Sequence, residues 1–453
     1  MGLSKDAKQG LVETYLLKRK SPLRVSMMPL LVICLFVSCS VFKPGRQSAE
    51  KSDVERIIKT LASDEMQGRG LFSPGIEKAA DFIEQEFKSI GLKPLANASG
   101  FRQAFAMKKI TPVSLSVSIN GKAVERENMF FLSDQASIQW KGAGDAEVQY
   151  IKADHSFIAR YKILLQSNKP TLVYVDQALF SAFKRFLDYY SNERVVNEFK
   201  SANLVFVLGE EDAVTSFNVQ AINKIENAPL VNIAGMLQGK SKEKEIVIFS
   251  GHYDHLGVIE AVRGDSIANG ADDDASGVTA VIALARYYKK LNNNARTLIF
   301  VAFTAEEIGG FGSKYFSEQQ NPDDVVAMFN IEMIGKESKF GKNSAFITGF
   351  DKSDFGQILQ RNLQGTPFAF HPDPYPDQNL FYRSDNATLA AQGVPAHTIS
   401  TDQIDSDKFY HTVDDELATL NIANITATIK AIALSAKSIV DGTDTPKRVE
   451  KMK

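Results

Sequence analysis

Apolar and polar residues alternate with two different periods along this chain, and the second half shows the clearer pattern. Four apolar runs have the length of buried strands, at residues 245–250, 297–303, 325–331 and 396–400. Between and after them, apolar side chains recur at helical spacing, at residues 278–291, 311–318 and 422–432. Strands that alternate with helices predict a largely parallel sheet covered by helices, in which ligands bind beyond the carboxyl ends of the strands.

Residues 54–95 show the pattern of two further helices. Ser73-Pro74 is a start signal for the second helix, and Gly91 stands where a C-terminal glycine belongs. Apolar residues repeat at helical spacing between these two signals, so this helix is expected to pack on the sheet.

Residues 103–235 follow a different pattern, with strict alternation at 114–119, an Asn120-Gly121 turn signal and an apolar run at 171–175. They predict a β-rich insertion with a few helices, one of them near 179–190. The predicted fold is therefore α/β, with a mixed, largely parallel central β-sheet flanked by helices. It comprises residues 53–102 and 236–442, interrupted by the insertion at 103–235 and followed by a tail at 443–453.

Composition narrows the possible classes of protein. A chain of 453 residues with 44% hydrophobic and 23% charged residues suits a globular protein of two folded units. With a formal net charge of -2 and a sequence pI of about 6.4, the chain has no excess of positive charge that would attract the phosphates of a nucleic acid. No nucleic-acid partner is therefore expected.

The N-terminal region has the layout of an export signal. An apolar stretch at 27–37 follows several basic residues, and both cysteines of the chain, Cys34 and Cys39, lie in or just after it. This layout predicts a signal segment over residues 1–39 and a protein exported to the cell envelope. Residues 35–39 resemble a bacterial lipoprotein signal, which would make Cys39 a lipid anchor to the membrane ahead of a linker at 40–52. A plain signal peptide with a periplasmic product, or the end of an apolar helix, is the alternative.

Two groups of metal-binding side chains follow the strand predicted at 245–250. His252 can give one ring nitrogen to a metal while Asp254 restrains the ring. Three adjacent carboxylates at 272–274 repel one another, and a cation would relieve that repulsion. In isolation such an acidic run is more often a solvated turn.

Two further groups complete the set. Glu306 and Glu307 follow the strand predicted at 297–303, where one glutamate can ligate a metal while the other takes a proton from an activated water. Tyr410-His411 offers a second imidazole late in the chain. A lone Glu-Glu pair would be read as surface decoration, but four such groups at strand ends make independent coincidences implausible.

With these motifs, residues 230–440 resemble the M28 zinc peptidase family, and residues 61–69 and 91–94 resemble the lead-in of its secreted bacterial members. The resemblance implies two zinc ions per chain and hydrolysis of peptides, first of all as an aminopeptidase. It implies that the zinc ligands are His252, Asp273, Glu307, Glu332 and His411, with Asp273 bridging the two ions. Glu306 is then the general base, Asp254 orients His252, and Tyr410 hydrogen-bonds the developing oxyanion. A cis peptide bond between Asp273 and Asp274 is also implied.

Two positions depart from the family pattern. Glu332 stands where the family has aspartate, so either a small backbone shift absorbs the extra methylene or the first zinc site is weakened. Asn386 stands where many relatives carry a histidine that is not a ligand, which affects substrate orientation. Ser384 and Asp385 either line the pocket or cap a helix at 387–392.

Several alternatives stay open at the level of the sequence. The same scaffold supports carboxypeptidase, dipeptidase and glutaminyl cyclase reactions, and a non-catalytic peptide-binding lipoprotein is a further possibility. The insertion weakly resembles the protease-associated domain of some relatives, and the sequence leaves side-chain preference and oligomeric state open. Structural roles are assigned to the isolated residues His155, His255, His371, His397 and Trp140, and a functional part stays open only for His255, which lies beside the site.

Overall fold

The structure is a computed structural model that describes residues 50–452, except residues 97, 168, 197–202 and 211–212. The predicted signal segment, the predicted lipidation site Cys39 and most of the predicted linker therefore lie outside the described residues. Within the described part of the chain, no helix is long and apolar enough to cross a membrane.

Four strands of the second half coincide with the four apolar runs of the sequence, and the structure has further short strands there. In chain order the strands are β1 Arg102–Ile119, β2 Lys122–Ala123, β3 Met129–Leu132, β4 Ser137–Trp140, β5 Glu147–Ile151, β6 Thr171–Asp176, β7 Arg194–Val196, β8 Leu204–Gly209, β9 Phe217–Leu237, β10 Lys242–His252, β11 Gly257–Val262, β12 Asp265–Ala268, β13 Arg296–Phe303, β14 Val325–Ile331, β15 Ser344–Ile347, β16 Ala369–Pro372 and β17 Ala396–Ser400.

The described residues form ten α-helices. They are α1 Lys51–Leu61, α2 Pro74–Ile90, α3 Phe157–Leu165, α4 Phe180–Tyr190, α5 Gly277–Leu291, α6 Phe311–Glu318, α7 Phe355–Asn362, α8 Ala387–Ala391, α9 Ile422–Ser435 and α10 Lys437–Val440. At the start of α2 the Ser73 side chain accepts hydrogen bonds from the next two free amides, and Gly91 ends the helix with a left-handed φ of 78°.

The central sheet has the strand order β16-β15-β17-β14-β10-β13-β9-β1-β2. The pairs β10–β13, β10–β14, β14–β17 and β15–β16 are parallel, whereas β9 joins β13 in the antiparallel direction. Parallel strands need both faces covered, and β13 and β14 are buried along their whole length. The predicted fold class, a mixed and largely parallel sheet flanked by helices, is confirmed.

A row of aromatic side chains holds α5 against the middle of this sheet. Phe249 on β10 stacks on Phe300 of β13 and on Phe329 of β14, with ring centroids 5.4 and 4.9 Å apart. Tyr288 of α5 covers the same phenylalanine at 5.4 Å. Because these large rings are fully buried, they give the strands that carry the site a rigid base.

The strands β1 and β9, together with the segment between them, form an arm of the structure. These two strands pair from Arg102 opposite Ile233 to Ile119 opposite Phe217, with one irregularity between Pro112 and Ser114, so they extend well beyond the part of β9 that pairs with β13. A second sheet of order β3-β8-β6-β5 packs with α3 and α4 around Phe130, Phe183 and Phe206. This arm contains the residues predicted as the β-rich insertion.

Candidate metal centre and catalytic pocket

His252 is the last residue of β10, at the carboxyl edge of the sheet. Its Nδ1 donates a hydrogen bond to the main-chain carbonyl of Asp254 at 3.1 Å, which leaves a lone pair on Nε2 for a metal. Nε2 is buried 3.1 Å from Oδ1 of Asp273, but the two atoms are not in hydrogen-bonding geometry. Two atoms in this arrangement are suited to sharing a cation.

Asp254 acts differently from the way the sequence suggested. Its carboxylate is 3.9 Å from the His252 ring and instead accepts hydrogen bonds from the amides of Glu306 and Glu307, at 3.1 and 3.3 Å. Burial raises the pKa of Asp254 to about 6. Asp254 therefore orients His252 through its main-chain carbonyl and the glutamate turn through its side chain.

The three aspartates of the turn Ala271–Ser276 have three distinct roles. Asp272 accepts from the amide of Gly335, whereas Asp274 accepts from the amides of His252, Gly277 and Met333. These bonds tie the ends of β10 and β14 to the start of α5. Only Asp273 is left facing the histidines, and the Asp273–Asp274 peptide bond is cis, as the resemblance implied.

Glu306 and Glu307 lie in a tight turn after β13. Ala305, immediately before them, has a left-handed φ of 58°, which is uncommon for a residue with a side chain and typical of functional sites. Glu307 accepts from Nδ1 of His255 at 2.7 Å and contacts Nε2 of His411 at 3.1 Å. Glu306 lines the adjacent pocket instead.

His411 reaches the same point from the far end of the chain. It also has a left-handed φ, of 57°, and its Nε2 is 3.3 Å from Oδ2 of Asp273. The ring of Tyr410 stacks on that of His411, with centroids 3.9 Å apart, and Tyr410 lines the pocket beside Glu306.

Glu332 follows β14 and lines the pocket together with Asp273 and Glu306. The tight group of ligand atoms within 4.8 Å of one another comprises His252, Asp273 and Glu307 and does not include Glu332. Burial raises the pKa of the Glu332 carboxyl group, although Ser384 hydrogen-bonds to it. The structure thus places Glu332 at the pocket wall next to the three-residue group.

The centre is strongly polarised. Burial acts to raise the pKa of Asp273, but the contacts with His252 and His411 outweigh it and hold this pKa well below its usual value. Burial raises the pKa of Glu306 well above its usual value. The Asp273 carboxylate is therefore kept ionised by the imidazoles around it, whereas the Glu306 carboxyl group retains a high affinity for a proton.

Two residues that the sequence did not single out as functional support this centre. His255, assigned a structural role from the sequence, is buried and orients Glu307 through the 2.7 Å hydrogen bond. Arg69 is fully buried, and its guanidinium donates five hydrogen bonds to the main-chain carbonyls of Leu61, Tyr253, Asn269, Gly270 and Asp273. It thereby holds the loops of two predicted ligands, His252 and Asp273, in place.

The glycine before Arg69 explains how this arginine reaches the site. Gly68 has a φ of 61°, and a Cβ there would come within 2.4 Å of the Ala268 carbonyl and 2.6 Å of the Gly257 carbonyl. Only a residue without a side chain fits this approach. Arg69 lies in the lead-in motif at 61–69, but most of the carbonyls to which it donates are about 200 residues away in the chain.

Three other residues singled out from the sequence make structural contacts, whereas Ser384 lines the pocket. Asn386 is buried, and its side chain bonds to the Phe381 and Ala396 carbonyls and to Thr398. His397 is buried between Ser353 and the Thr348 carbonyl. Trp140 packs in the core of the arm.

The residues present fit a zinc centre. Buried imidazole and carboxylate ligands with one histidine nitrogen oriented by a carbonyl are the donor set that zinc prefers. The unpartnered Nε2 of His252 and the carboxylates of Asp273 and Glu307 converge on one point.

Comparison with known protein families agrees with this centre. Residues 232–436 match the model of Peptidase family M28. The Vacuolar membrane protease of Schizosaccharomyces pombe is 31% identical over 149 residues, which cover 32% of this chain and 16% of that protein. A Probable zinc metalloprotease of Pyricularia oryzae is 31% identical over 109 residues, which cover 24% of this chain and 21% of that protein. The chain thus spans only 16% and 21% of the length of these two relatives.

Solved structures share the fold over nearly the whole chain. An aminopeptidase from Aneurinibacillus sp. strain AM-1 is similar with a TM-score of 0.52 and 19% identity, covering 90% of this chain and 96% of that one. BSAP, a zinc aminopeptidase from Bacillus subtilis, gives a TM-score of 0.52 and 15% identity, covering 90% and 100%. At these identities the likeness establishes the fold alone.

Proposed function

The chain carries a domain of peptidase family M28 over residues 232–436, and from this premise we propose that it is a zinc-dependent aminopeptidase that releases N-terminal residues from peptides. The observation that carries the proposal is a single pocket lined by Asp273, Glu306, Glu332 and Tyr410. The predicted bridging ligand, the predicted base and a phenol thus all face the space that a substrate would occupy.

We propose that this centre holds two zinc ions. His252, Asp273 and Glu332 would hold one ion, whereas Asp273, Glu307 and His411 would hold the other. Zinc, when bound, lowers the pKa of a water and polarises a peptide carbonyl. His255 and the main-chain carbonyl of Asp254 orient Glu307 and His252 for this task.

Glu306 is the general base in this proposal. It lies next to Glu307 in the turn whose amides Asp254 holds, and it lines the pocket instead of joining the tight ligand group. Its carboxylate takes the proton of the attacking water and returns it to the leaving amine. Tyr410 lines the same pocket, where its hydroxyl can donate a hydrogen bond to the developing oxyanion.

The carboxylates at the pocket wall favour a substrate with a free α-amine. Glu306 and Glu332 are both half-buried carboxyl groups that line the pocket, and a cationic amine is the group that such a pair accommodates. An acylated N-terminus would remove this charge. Activity on free aminoacyl amides and none on their N-acetylated forms is therefore expected.

The experiment compares aminoacyl 4-nitroanilides with their N-acetyl derivatives, before and after dialysis against a chelator. The proposal expects turnover of the free forms only, loss of that turnover with the metal, and its return when zinc is added. Hydrolysis of acetylated and free forms at equal rates contradicts aminopeptidase action, and undiminished activity without metal contradicts the zinc mechanism.

A dipeptidase is the second candidate, because Arg383 also lines the pocket. Its exposed guanidinium could bind the carboxylate of a short substrate. Dipeptides would then be cleaved much faster than the corresponding dipeptide amides, and Arg383→Gln would remove that difference.

We also propose, from the sequence of residues 35–39, that the protein is exported and carries a lipid on Cys39. Metabolic labelling with a radioactive fatty acid should mark the full chain and should not mark Cys39→Ser. Equal labelling of both forms would contradict the anchor.

A further inference from the structure

The catalytic pocket contains one carboxyl group that the proposed reaction does not use. Asp402 follows β17 and lines the pocket together with Glu306, Glu332 and Tyr410. It is only 5% exposed, and its Oδ1 is buried without a hydrogen-bond partner among the described residues. A buried oxygen of this kind is costly unless some other group pairs with it.

The surroundings of Asp402 are short of positive charge. Carboxylate oxygens of Asp272, Asp402 and Asp407 all lie within 4.8 Å of one another. Lys336 contacts Asp272 at 3.3 Å and also contacts Asp407. Among the described residues no ion pair reaches Asp402, which instead shares a hydrogen bond with Asp407. Three carboxyl groups thus have one ammonium between them.

Hydrogen bonds hold Asp402 beside the end of β14, the strand that Glu332 follows. Its amide donates to Oγ of Ser400 at 3.1 Å, and that hydroxyl donates to the carbonyl of Met333 at 3.1 Å. The amide of Thr401 donates to the same carbonyl at 3.0 Å. Because Met333 directly follows Glu332, the position of Asp402 is tied to that of a predicted zinc ligand.

The remaining wall of the pocket is partly apolar and partly polar. Its apolar side chains are Met333, Phe346, Leu380 and Ile404, whereas its polar ones are Thr348, Arg383, Ser384, Thr398 and Ser400. Such a wall suits the methylene stem of a long basic side chain, whose charged end then needs a polar partner. Asp402 is a partner of this kind.

We propose that Asp402 is a specificity-determining residue that binds the ammonium or guanidinium group of an N-terminal lysine or arginine of the substrate. This inference rests on the proposed aminopeptidase function. The substrate's cation takes the place of the proton that Asp402 holds toward Asp407, and that proton passes to solvent. Burial, with the negative charges of Asp272 and Asp407, raises the pKa of Asp402 to about 8, and an incoming cation stabilises the ionised form instead.

The test measures kcat/KM for aminoacyl coumarin amides of lysine, arginine, norleucine and Nε-acetyl-lysine. Norleucine has the same straight carbon stem as lysine without the ammonium, and acetylation removes the charge while the stem is retained. A charge-assisted hydrogen bond corresponds to a preference for lysine over norleucine of about 10- to 100-fold. Norleucine or Nε-acetyl-lysine cleaved as well as lysine by the native enzyme overturns the proposal.

Asp402→Asn should lower the ratio of lysine to norleucine turnover to about one, a loss of about 10- to 100-fold. Asp405→Asn is the matched control, because Asp405 is an exposed neighbour that pairs with Lys339 outside the pocket, and it should leave the ratio unchanged. An unchanged ratio in a zinc-loaded Asp402→Asn enzyme overturns the proposal.

If Asp402→Asn does not fold, the four substrates with the native enzyme decide the question by themselves. Failure of this inference is distinguishable from failure of the proposed function. A preference for norleucine over lysine leaves an aminopeptidase without the charged subsite, whereas no turnover of any free aminoacyl amide contradicts the aminopeptidase itself and the inference with it.

Discussion

The arm at 103–235 and the carboxyl edge of the central sheet bury very different side chains. The buried polar residues described in the arm are Ser133, Thr171, Arg194, Asn223 and Asn232, with no carboxylate among them. The sheet edge buries the acidic residues Asp254, Asp272, Asp273, Asp274, Asp385, Asp402 and Asp415. Both regions contain strands that are buried along most of their length, such as β6 and β8 in the arm and β13 and β14 in the central sheet.

The difference shows what each region does. An apolar core stabilises a fold with little cost, whereas each buried carboxylate must find hydrogen bonds or a cation. At the sheet edge, backbone amides donate to Asp272, Asp274 and Asp415, whereas Asp273 faces the histidines and is left for the proposed metal. The sheet edge therefore concentrates the electrostatic cost of buried carboxylates beside the proposed site, and the described residues of the arm form no comparable cluster.

The largest effect on activity should come from Glu306→Gln. The amide cannot accept the proton of the attacking water, so kcat is expected to fall by about 10²- to 10⁴-fold while zinc content, measured by atomic emission, stays at the native level. Glu260→Gln, an exposed change on β11, should have native kcat. Native turnover in Glu306→Gln would remove this residue from the mechanism.

A change in the core of the arm should act on stability instead. Phe130 stacks on Phe206 with centroids 4.6 Å apart, and its truncation in Phe130→Ala should lower the free energy of unfolding of the arm by about 3–5 kcal/mol. Denaturant titration followed by circular dichroism measures this loss, with Phe180→Ala, 45% exposed, as control. Loss of zinc from Phe130→Ala over the same range of denaturant concentration would show that the arm and the metal centre unfold together, which contradicts this prediction.

Arg69→Met tests the support of the ligand loops. It leaves several buried carbonyls without donors, so the free energy of unfolding should fall by about 3 kcal/mol, and zinc affinity, measured by competition with a chelator, should weaken. Arg263→Met is the control, because Arg263 is exposed and pairs with Asp414 alone. Native zinc affinity in a folded Arg69→Met protein would contradict the positioning role.

The smallest effect is expected for Glu332→Asp. Aspartate supplies the same ligand atoms on a shorter stem, so kcat/KM should change by less than about tenfold, whereas Glu332→Ala should leave one zinc per chain instead of two. Two tightly held zinc ions in Glu332→Ala would show that Glu332 is not a ligand.

Much of the site could be predicted because its signals are local in sequence. His252, Glu306 and Glu307 each follow an apolar strand directly, and parallel strands bring their carboxyl ends to one edge. Arg69, His255 and the second function of Asp254 could not be predicted in this way. Arg69 bonds to carbonyls near residue 270, and the hydrogen bond of His255 joins it to a turn 52 residues later.

The sequence by itself determined the alternation of strands and helices, the β-rich character of residues 103–235, and the residue types that follow each strand. These depend on periodicity and on the chemistry of neighbouring residues. The tertiary structure alone decided which of three adjacent aspartates faces the histidines, which carbonyls Arg69 binds, and that Asp402 shares a pocket with Glu306. The physical reason is that such contacts join segments distant in the chain, and only packing fixes the direction in which a buried polar side chain points.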